Sequence, residues 1–552
     1  MFRDARRDST IILAGPPVRR CARDSLRALG SRHLLAVILA TWSCVLLGLY
    51  TEGNGFPASW HFNEPSKVAQ VAGETPNFNH PRLLLDATAA VLTFRPNPSS
   101  QDIVVAGRFV SALAAVLAVD LLALLALLLY GELAGLFVAL VVGLDPLLYG
   151  LAHYMKEDAV YVFGLGLFLV ALARYGRNPD WSRLSQLGLA AGVTASGKYP
   201  GVATVAIAVA LVIWQSRVLQ HDPPGLTAKK AGVAVALAAA VFLAVDWQLF
   251  TALKSFAGGL RLGASQAATG GALSRPILSK LYIEGLIDLC PFMAIGAFGC
   301  YVVATLRSKK PLGAVELAIA LLPIAYLLVL QLSPSKRIRY ELPPLVMILA
   351  AAAMFIGRVA QRHRRIELRI AAWLAMAAIV GSECASVTAS RAAILNDSRA
   401  QMARWIRTNL PQSAVLAASE VDGLSESQSP TPGPADVPTR LMVAGDPFDL
   451  GDLDALRAKG VTHVLVTESV IGRYFNRSLQ RDETDVRDVY KAAHFPDFYR
   501  ELFATGKLVH HIPSARPLGT LFSPELWLFE IRRGADMPEH PLEPPTFLSP
   551  QE

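Results

Sequence analysis

The sequence predicts a mainly α-helical, polytopic membrane protein that carries a small C-terminal α/β domain. The 552-residue chain is 53% hydrophobic and only 17% charged, whereas soluble globular domains carry about 25% charged residues. Apolar runs long enough to cross a bilayer recur between residues 34 and 389. After residue 390 these runs give way to polar linkers and short amphipathic segments. The change in composition therefore separates a membrane domain from a C-terminal domain.

The apolar runs predict about eleven transmembrane helices. In chain order they are 34–50, 103–129, 133–149, 159–174, 184–198, 200–216, 231–250, 286–306, 313–331, 341–357 and 370–389. The first run is preceded by residues 1–33, which contain eight arginines. Such a segment is too long and too charged for the start of a cleavable signal peptide, so we expect a retained anchor.

The charges of the loops predict how the chain is oriented. The N-terminus and the segments 174–183, 217–230, 307–310 and 358–369 are basic, which is typical of cytoplasmic loops. The loops left for the opposite side are 51–102, 149–158, the turn near 198–200, 251–285, 332–340 and the chain after 390. The same distribution explains the net charge of +8 without nucleic-acid binding.

Three regions follow from this topology: a basic cytoplasmic tail (1–33), a transmembrane domain (34–390) and an extracytoplasmic α/β domain (391–552). In the last region the segment 398–411 is typical of a helix that ends at Pro411, and the segments 462–468 and 526–531 are typical of strands. The Pro- and Ser-rich segment 424–438 is expected to be a loop. The five cysteines have no zinc-site or disulfide spacing.

Four segments on the predicted outer side carry ionisable residues beside apolar runs. They are "FNEPSKVAQ" (62–70), "AHYMKEDAVYVF" (152–163), "ASGKYPG" (195–201) and "SPSKRIRYELPP" (333–344). Charged groups near the bilayer are costly and usually face a cavity or a binding site. The candidate catalytic residues are Glu64, Asp158 and Asn63, and the candidate substrate-binding residues are His80, Glu157, Lys198, Tyr199, Lys336, Arg337, Arg339 and Tyr340.

These residue types together suit one kind of chemistry. A carboxylate can deprotonate a hydroxyl group or bind a divalent cation such as Mg²⁺ or Mn²⁺. Lysine and arginine side chains can bind a phosphate group. A base and a phosphate clamp at the membrane edge predict group transfer from a lipid-phosphate donor, without settling whether a metal is needed.

Each of these residues also has a purely structural interpretation. Glu157 and Asp158 can stabilise the N-terminus of a helix, and Lys198 can extend its amine to the membrane surface. The sequence Asn79-His80-Pro81 resembles an N-cap followed by proline at the first helical position. Residues 336–339 can be an ordinary basic loop if the topology is reversed. The convergence of acids and cations from distant segments on one side favours a functional site.

The chain resembles glycosyltransferases of the GT-C superfamily, in the protein-mannosyltransferase-like group that uses polyprenyl-phosphate sugars. The resemblance is carried by "FNEPSK", "NFNHPRLLL", "GRFVSALAAVLAV", "DPLLYGLAHYMKEDA", "AAGVTASGKYPG" and "RIRYELPPL", which follow the family's order between residues 34 and 360. "ARWIRTNLP" and the later strands resemble the soluble tail of such proteins.

The resemblance implies a bacterial plasma-membrane enzyme that works on the extracytoplasmic side. Such enzymes move one sugar, here expected to be a hexose with mannose as a candidate, from a polyprenyl-phosphate donor to a protein, lipid or polysaccharide acceptor, generally with inversion. The family usually has Asp-Glu in the first external loop, whereas this chain has Asn63-Glu64. An amide cannot take up a proton as a carboxylate does. Glu64 is therefore the expected base, with Asp158 as the alternative.

Two other functions remain open from the sequence. A transporter or flippase for a lipid-linked glycan would also need cations beside apolar spans, but its functional polar residues would lie near mid-membrane on broken helices. An inactive relative that serves as a binding subunit is compatible with Asn63.

Overall fold

The computed structural model describes residues 18–61, 63–74, 76–269, 273–274, 281–308, 313–333, 337–419, 424, 440–468, 470–471, 480–481, 486–515 and 522–531. Helices dominate up to residue 409, and a mixed β-sheet with short helices follows. The predicted fold class, a helical membrane domain with a small C-terminal α/β domain, is confirmed.

The membrane domain is built from sixteen helices among the described residues. They are α1 (Val18–Thr51), α2 (Glu64–Val71), α3 (Leu83–Leu92), α4 (Ser100–Tyr130), α5 (Glu132–Gly143), α6 (Pro146–Ala152), α7 (Glu157–Arg177), α8 (Trp181–Gly197), α9 (Ala203–Trp214), α10 (Pro224–Val245), α11 (Leu253–Thr269), α12 (Leu281–Leu289), α13 (Phe292–Leu306), α14 (Ala314–Leu332), α15 (Leu342–Arg362) and α16 (Ile366–Leu395).

Within the described ranges, eight helical segments are long and apolar enough to cross a membrane, or nine if the bent pair α5 and α6 is one span. The two remaining predicted runs, 184–198 and 286–306, correspond to α8 with 17 residues and α13 with 15 residues. Every predicted run thus coincides with a helix, but the count of eleven spans is not confirmed.

The chain bends by 61° between α5 and α6 because Asp145 and Pro146 interrupt the helix. Pro146 has no backbone N–H for an intrahelical bond. Asp145 accepts a hydrogen bond from the N–H of Leu148 and is therefore the N-cap of α6. After the break, α6 leads directly into the short segment that precedes α7.

The start of α3 differs from the sequence-based interpretation. Asn79-His80-Pro81 does not cap this helix, which begins at Leu83. Instead, the N–H of Arg82 donates to Asp246 Oδ1 at 2.9 Å. The acceptor comes from the end of α10, a partner that local sequence cannot reveal. The N-cap interpretation of residues 79–81 is therefore wrong.

The C-terminal domain contains a five-stranded sheet. Its strands are β2 (Val415–Ser419), β3 (Arg440–Ala444), β4 (His463–Thr467), β6 (Lys507–Ile512) and β7 (Leu526–Glu530). They lie side by side in the order β3-β2-β4-β7-β6. The first three in the order are parallel, and β7 is antiparallel to both β4 and β6. Strands β4 and β7 confirm the predictions for 462–468 and 526–531.

Three helices accompany this sheet: α17 (Ser398–Asn409), α18 (Leu453–Ala458) and α19 (Val486–Thr505). Helix α17 ends two residues before Pro411, close to the predicted stop. A short two-stranded sheet pairs β1 (Leu273–Ser274) with β5 (Gln480–Arg481) and so joins the loop after α11 to the C-terminal domain. The predicted loop 424–438 lies outside the described residues except for position 424.

Candidate active site

The first external loop is fastened to the bundle by a buried ion pair. Glu64 opens α2 and accepts hydrogen bonds from Arg108 of α4, at 3.1 Å from Nε and 2.5 Å from Nη2. The N–H of Met155 also donates to Glu64, at 2.7 Å. Arg108 Nη1 donates to the carbonyl groups of Asn54 and Phe56. Glu64 thus joins α2, α4 and the segment before α7, and both of its oxygens are occupied.

Next to this ion pair lies a second one that involves the predicted residue Glu157. Lys67, one turn after Glu64, places its amine 2.6 Å from Glu157 Oε1 and donates to the carbonyl of Met155 at 2.7 Å. The side chains of Lys67 and Glu157 are 6% and 4% exposed, so this pair is desolvated. Lys67 of α2 thereby contacts both ends of the segment 155–157.

Asp158 forms a third pair with Lys198, the residue that follows α8. Lys198 Nζ lies 2.7 Å from Asp158 Oδ1 and 4.9 Å from the centre of the Tyr340 ring. The backbone of Lys198 is extended between α8 and a 3₁₀ turn that contains Pro200. This turn ends α8 and directs the lysine toward the N-terminus of α7.

The segment before α15 brings Arg339, another predicted cation, to the same place. Arg339 packs its guanidinium 5.4 Å from the centre of the Tyr340 ring. Its Nε is buried and has no hydrogen-bond partner among the described residues. Arg337 is exposed and donates its backbone N–H to the Tyr282 hydroxyl. Lys336 lies outside the described residues.

His80 reaches the cluster from the loop before α3. Its Nε2 is 4.0 Å from Glu157 Oε2. The loop is fixed at Phe78, whose carbonyl accepts a hydrogen bond from the Tyr199 hydroxyl at 2.9 Å and whose backbone φ is +50°. A Cβ at Gly259 of α11 would lie 2.4 Å from the same carbonyl, so this close approach requires glycine. Tyr199 therefore supports the loop that presents His80.

Burial sets the protonation state of His80. It lowers the pKa of His80 from 6.5 to about 4, and nearby lysines add to this while Glu157 opposes it. His80 is thus neutral at neutral pH. Burial and surrounding cations also hold the pKa of His61 well below its usual value. Both imidazoles add hydrogen-bonding groups, but no charge, to this end of the bundle.

Lys156 completes the cluster and was not predicted. Burial, followed by the charges of Arg339 and Lys67, lowers the pKa of its amine well below the usual value. Its backbone is held by Ser111 of α4, which accepts a hydrogen bond from the Lys156 N–H and donates one to its carbonyl. The charges of Arg339 and Lys67 and those of Glu157 and Asp158 thus act on the Lys156 amine in opposite directions.

The structure brings most of the predicted site residues together and separates others. Glu157, Asp158, Lys198, Arg339, Tyr340 and His80 form one cluster. Asn63 lies beside it as the N-cap of α2, but its side chain makes no capping hydrogen bond. Glu64 belongs instead to the adjoining ion pair with Arg108. We name the cluster of Lys67, Lys156, Glu157, Asp158, Lys198 and Arg339 the charged cluster.

The sequence contains signals for most of the residues in and beside the charged cluster that were not predicted. Arg108 is a lone cation within an apolar run, a placement that usually has a specific partner. Lys156 precedes the two predicted acids directly, and Lys67 lies one helical turn after Glu64. His61 offers no such signal, because its burial depends on the packing of its ring 4.9 Å from that of Tyr154.

No group of three or more metal-binding side chains occurs among the described residues. The oxygen ligands available to a divalent cation are the carboxylates of Glu157 and Asp158, whose partners are Lys67 and Lys198. The need for Mg²⁺ or Mn²⁺ stays a prediction.

Comparisons with known proteins find one family model and several solved structures that this chain resembles. The family model for dolichyl-phosphate-mannose-protein mannosyltransferase matches residues 94–257, which include α4, α7 and α8. ArnT from Cupriavidus metallidurans, bound to undecaprenyl phosphate, has a similar structure, with a TM-score of 0.53 and 14% sequence identity. The alignment covers 90% of this chain and 98% of that one.

A second solved structure, the oligosaccharyltransferase of Archaeoglobus fulgidus in the apo form, gives a TM-score of 0.52 at 12% identity. Here the alignment covers 86% of this chain and 73% of that one. A search of curated protein sequences finds no match. At such identities the likeness concerns the fold, and the residues of the charged cluster carry the chemical argument.

Proposed function

We propose that this chain, a polytopic membrane protein with the GT-C fold and a segment that matches the mannosyltransferase family, is a glycosyltransferase that uses a polyprenyl-phosphate sugar. The resemblance to the GT-C superfamily is confirmed by the family match and by the fold. We place the reaction on the extracytoplasmic side of a bacterial plasma membrane, where the loop charges put the charged cluster.

The observation that carries this proposal is the composition of the charged cluster. It holds four basic side chains and two carboxylates. Lys67 and Lys198 pair with the two carboxylates, and the buried Nε of Arg339 has no hydrogen-bond partner among the described residues. Basic groups thus outnumber carboxylates within the cluster, and this excess favours an anionic ligand, because burying unbalanced positive charge is costly. A lipid phosphate at the membrane edge meets this requirement, and its binding would relieve the depressed pKa of Lys156.

The same excess helps the proposed reaction. A polyprenyl-phosphate sugar is a phosphodiester with one negative charge, whereas the departing polyprenyl phosphate gains a second. Interactions that are stronger with the leaving group than with the donor lower the barrier of the chemical step. Arg339 suits this role, since a guanidinium can bind two phosphate oxygens at once.

The base must take the proton of the acceptor hydroxyl as its oxygen attacks the anomeric carbon. The bond between that carbon and the phosphate oxygen breaks, and its electron pair stays on the departing polyprenyl phosphate. Because the hydroxyl oxygen attacks from the opposite face, the configuration of the anomeric carbon is inverted. Both oxygens of Glu64 are occupied by Arg108 and Met155, whereas Asp158 pairs with Lys198 through Oδ1. This difference leads us to assign the base to Asp158 and a positioning role to Glu64.

One observation favours a second candidate, a binding subunit of the same fold without catalysis. Asn63 stands where the family usually has aspartate, and the neighbouring carboxylate of Glu64 is enclosed. Such a protein would bind the lipid phosphate through the same cations and transfer nothing.

Radioactive sugar transfer separates the two candidates. The purified protein in liposomes is given a series of polyprenyl-phosphate hexoses, mannose first, together with membrane extract as the source of acceptors. We expect label in the acceptor fraction with wild-type protein and at least about 100-fold slower labelling with Asp158→Asn. Binding of undecaprenyl phosphate without transfer from any donor would support the binding subunit.

A further inference from the structure

The C-terminal domain inserts one aromatic ring into the membrane domain. Phe522, just before β7, is fully buried and belongs to the hydrophobic core of the membrane domain rather than to the core of its own sheet. Its ring stacks on that of Tyr154, with centroids 4.9 Å apart and planes 14° apart. It also meets the edge of Phe56 at 5.2 Å.

A polar network holds this ring in place. The N–H of Ser523 donates to Asp397 Oδ2 at 2.8 Å, and its hydroxyl donates to the carbonyl of Ala393 at 3.0 Å. Asp397 also accepts two hydrogen bonds from the Arg399 guanidinium, both at 2.9 Å. Phe522, Ser523, Asp397 and Arg399 will be called the latch.

The latch continues into the first external loop. Arg399 Nη1 donates to the carbonyl of Trp60 at 3.0 Å, and its guanidinium lies 4.3 Å from the centre of the Trp60 ring. Trp60 in turn stacks on Phe56, with centroids 5.6 Å apart. The latch therefore contacts the first external loop, which the ion pair of Glu64 and Arg108 also connects to α4.

Tyr154 connects this contact with the proposed chemistry. The residues that follow it are Met155, held by Glu64 and Lys67, then Lys156, Glu157 and Asp158. Helices α2 and α4 of the membrane domain contact this segment through Glu64, Lys67 and Ser111. The C-terminal domain contacts it through the ring of Phe522, which stacks on Tyr154. A displacement of about 1 Å at a reacting group can lower a rate by about 100-fold.

We infer that Phe522 is a positioning residue. Through the latch, the C-terminal domain fixes the position of the segment 154–158, and with it the positions of Lys156, Glu157 and Asp158. This inference rests on the proposed function for its kinetic consequences. It implies that the C-terminal domain completes the active site. The segment carries the proposed base Asp158, whereas the main proposed phosphate ligand, Arg339, lies outside it in the segment before α15, so the latch is expected to lower kcat more than it raises the donor KM.

The test compares Phe522→Leu with Phe503→Leu in the full-length protein in nanodiscs. Phe503 is equally buried, but it packs on Trp527 and Phe529 inside the C-terminal domain. We expect Phe522→Leu to lower kcat about tenfold with an almost unchanged donor KM, and Phe503→Leu to leave kcat within about twofold. Arg399→Lys, which loses the bidentate contact but keeps the charge, is expected to lower kcat in the same direction.

Hydrogen–deuterium exchange of the peptide that covers residues 153–158 supplies a measurement without activity. We expect faster exchange in Phe522→Leu and an unchanged rate in Phe503→Leu. Equal exchange in the two variants would overturn the inference, as would a kcat that Phe522→Leu leaves unchanged. If the wild-type protein transfers no sugar, the proposed function fails, and the exchange experiment still decides whether the latch positions the segment.

Discussion

Glu64 and Arg108 form a closed ion pair inside the protein: Glu64 Oε2 lies 2.5 Å from Arg108 Nη2, and neither side chain is exposed to solvent. The pair connects the first external loop with α4, and the N–H of Met155 completes the hydrogen bonds of the carboxylate. A base must be free to receive a proton from the acceptor. The geometry thus favours a structural role for the residue that sequence reasoning made the base.

Glu64→Gln is expected to destabilise the protein more than it impairs any chemical step. Removing one partner of a buried ion pair costs about 3–5 kcal/mol, because the other charge stays buried and unpaired. Thermal unfolding of the purified protein measures this loss, and Glu468→Gln in the C-terminal domain is the control. A Glu64→Gln protein with wild-type thermal stability and a transfer rate reduced more than about 100-fold would restore Glu64 as the base.

Asp158→Asn is expected to reduce transfer about 10²- to 10⁴-fold, the usual contribution of a general base. The amide keeps the shape of the side chain and can still accept a hydrogen bond from Lys198. Because the Lys198 side chain is 12% exposed whereas Arg108 is fully enclosed, the loss of stability is expected to be smaller than in Glu64→Gln, and thermal unfolding measures it alongside. Initial rates of sugar transfer give the result, with Asp497→Asn on the exposed face of α19 as the control. Wild-type rates in Asp158→Asn would remove Asp158 from the mechanism and direct attention to Glu157.

Arg339→Ala is expected to weaken binding of undecaprenyl phosphate by about 2–3 kcal/mol, the value of a desolvated, charge-assisted contact. This corresponds to a roughly 30- to 150-fold higher Kd. The matched control is Arg358→Ala, which removes a guanidinium near the other end of α15, where it lies 5.7 Å from the centre of the Tyr130 ring. Equal affinities of Arg339→Ala and wild type would reject Arg339 as a phosphate ligand.

Asn63→Asp distinguishes an enzyme from an inactivated relative. If Asp158 is the base, a second carboxylate at position 63 is expected to change transfer by less than about tenfold, since it adds a group that the reaction does not require. Transfer assays of Asn63→Asp and Asn63→Ala provide the comparison. Transfer that appears only in Asn63→Asp would show that the natural chain has lost its base, and the binding-subunit alternative would replace the proposed enzyme.

His80 is expected to make the stability of the protein depend on pH. Its pKa is about 4 in the folded chain and 6.5 when unperturbed. Between these values the unfolded chain binds the proton and the folded chain does not, so stability falls as the pH is lowered from 6.5 toward 4 and is fully present above 6.5. Thermal unfolding between about pH 4.5 and 7.5 is expected to show a shallower decline in His80→Gln than in wild type. The exposed His363→Gln is the control, and parallel curves for wild type and His80→Gln would contradict the assignment.

The sequence predicted the elements whose signals are local. Composition identified the membrane domain, every long apolar run became a helix, and the strands at 463–467 and 526–530 were recognised from their residues. The positions of Glu157, Asp158, Lys198 and Arg339 in one cluster followed from the alternation of loop charges. These predictions succeed because they depend on hydrophobicity and on charge along the chain.

The pairing of side chains could not be predicted in the same way. Nothing near Glu64 in the sequence indicates that Arg108, forty-four residues later, closes on both of its oxygens. The start of α3 was misassigned because Arg82 is bonded to Asp246 on another helix. The contact between Phe522 and Tyr154 joins residues that are more than 360 positions apart. Such partners are set by tertiary packing, and local patterns carry no information about them.

A structure of the protein determined with undecaprenyl phosphate bound would locate the donor site. We expect the phosphate to lie within the charged cluster, with oxygens at hydrogen-bonding distance from Arg339 and from at least one of Lys156 and Lys198. The lipid chain is then expected to leave between helices toward the bilayer. A phosphate bound elsewhere, for example beside the exposed ion pair of Arg391 and Glu52 near the end of α16, with the charged cluster unchanged, would contradict this expectation.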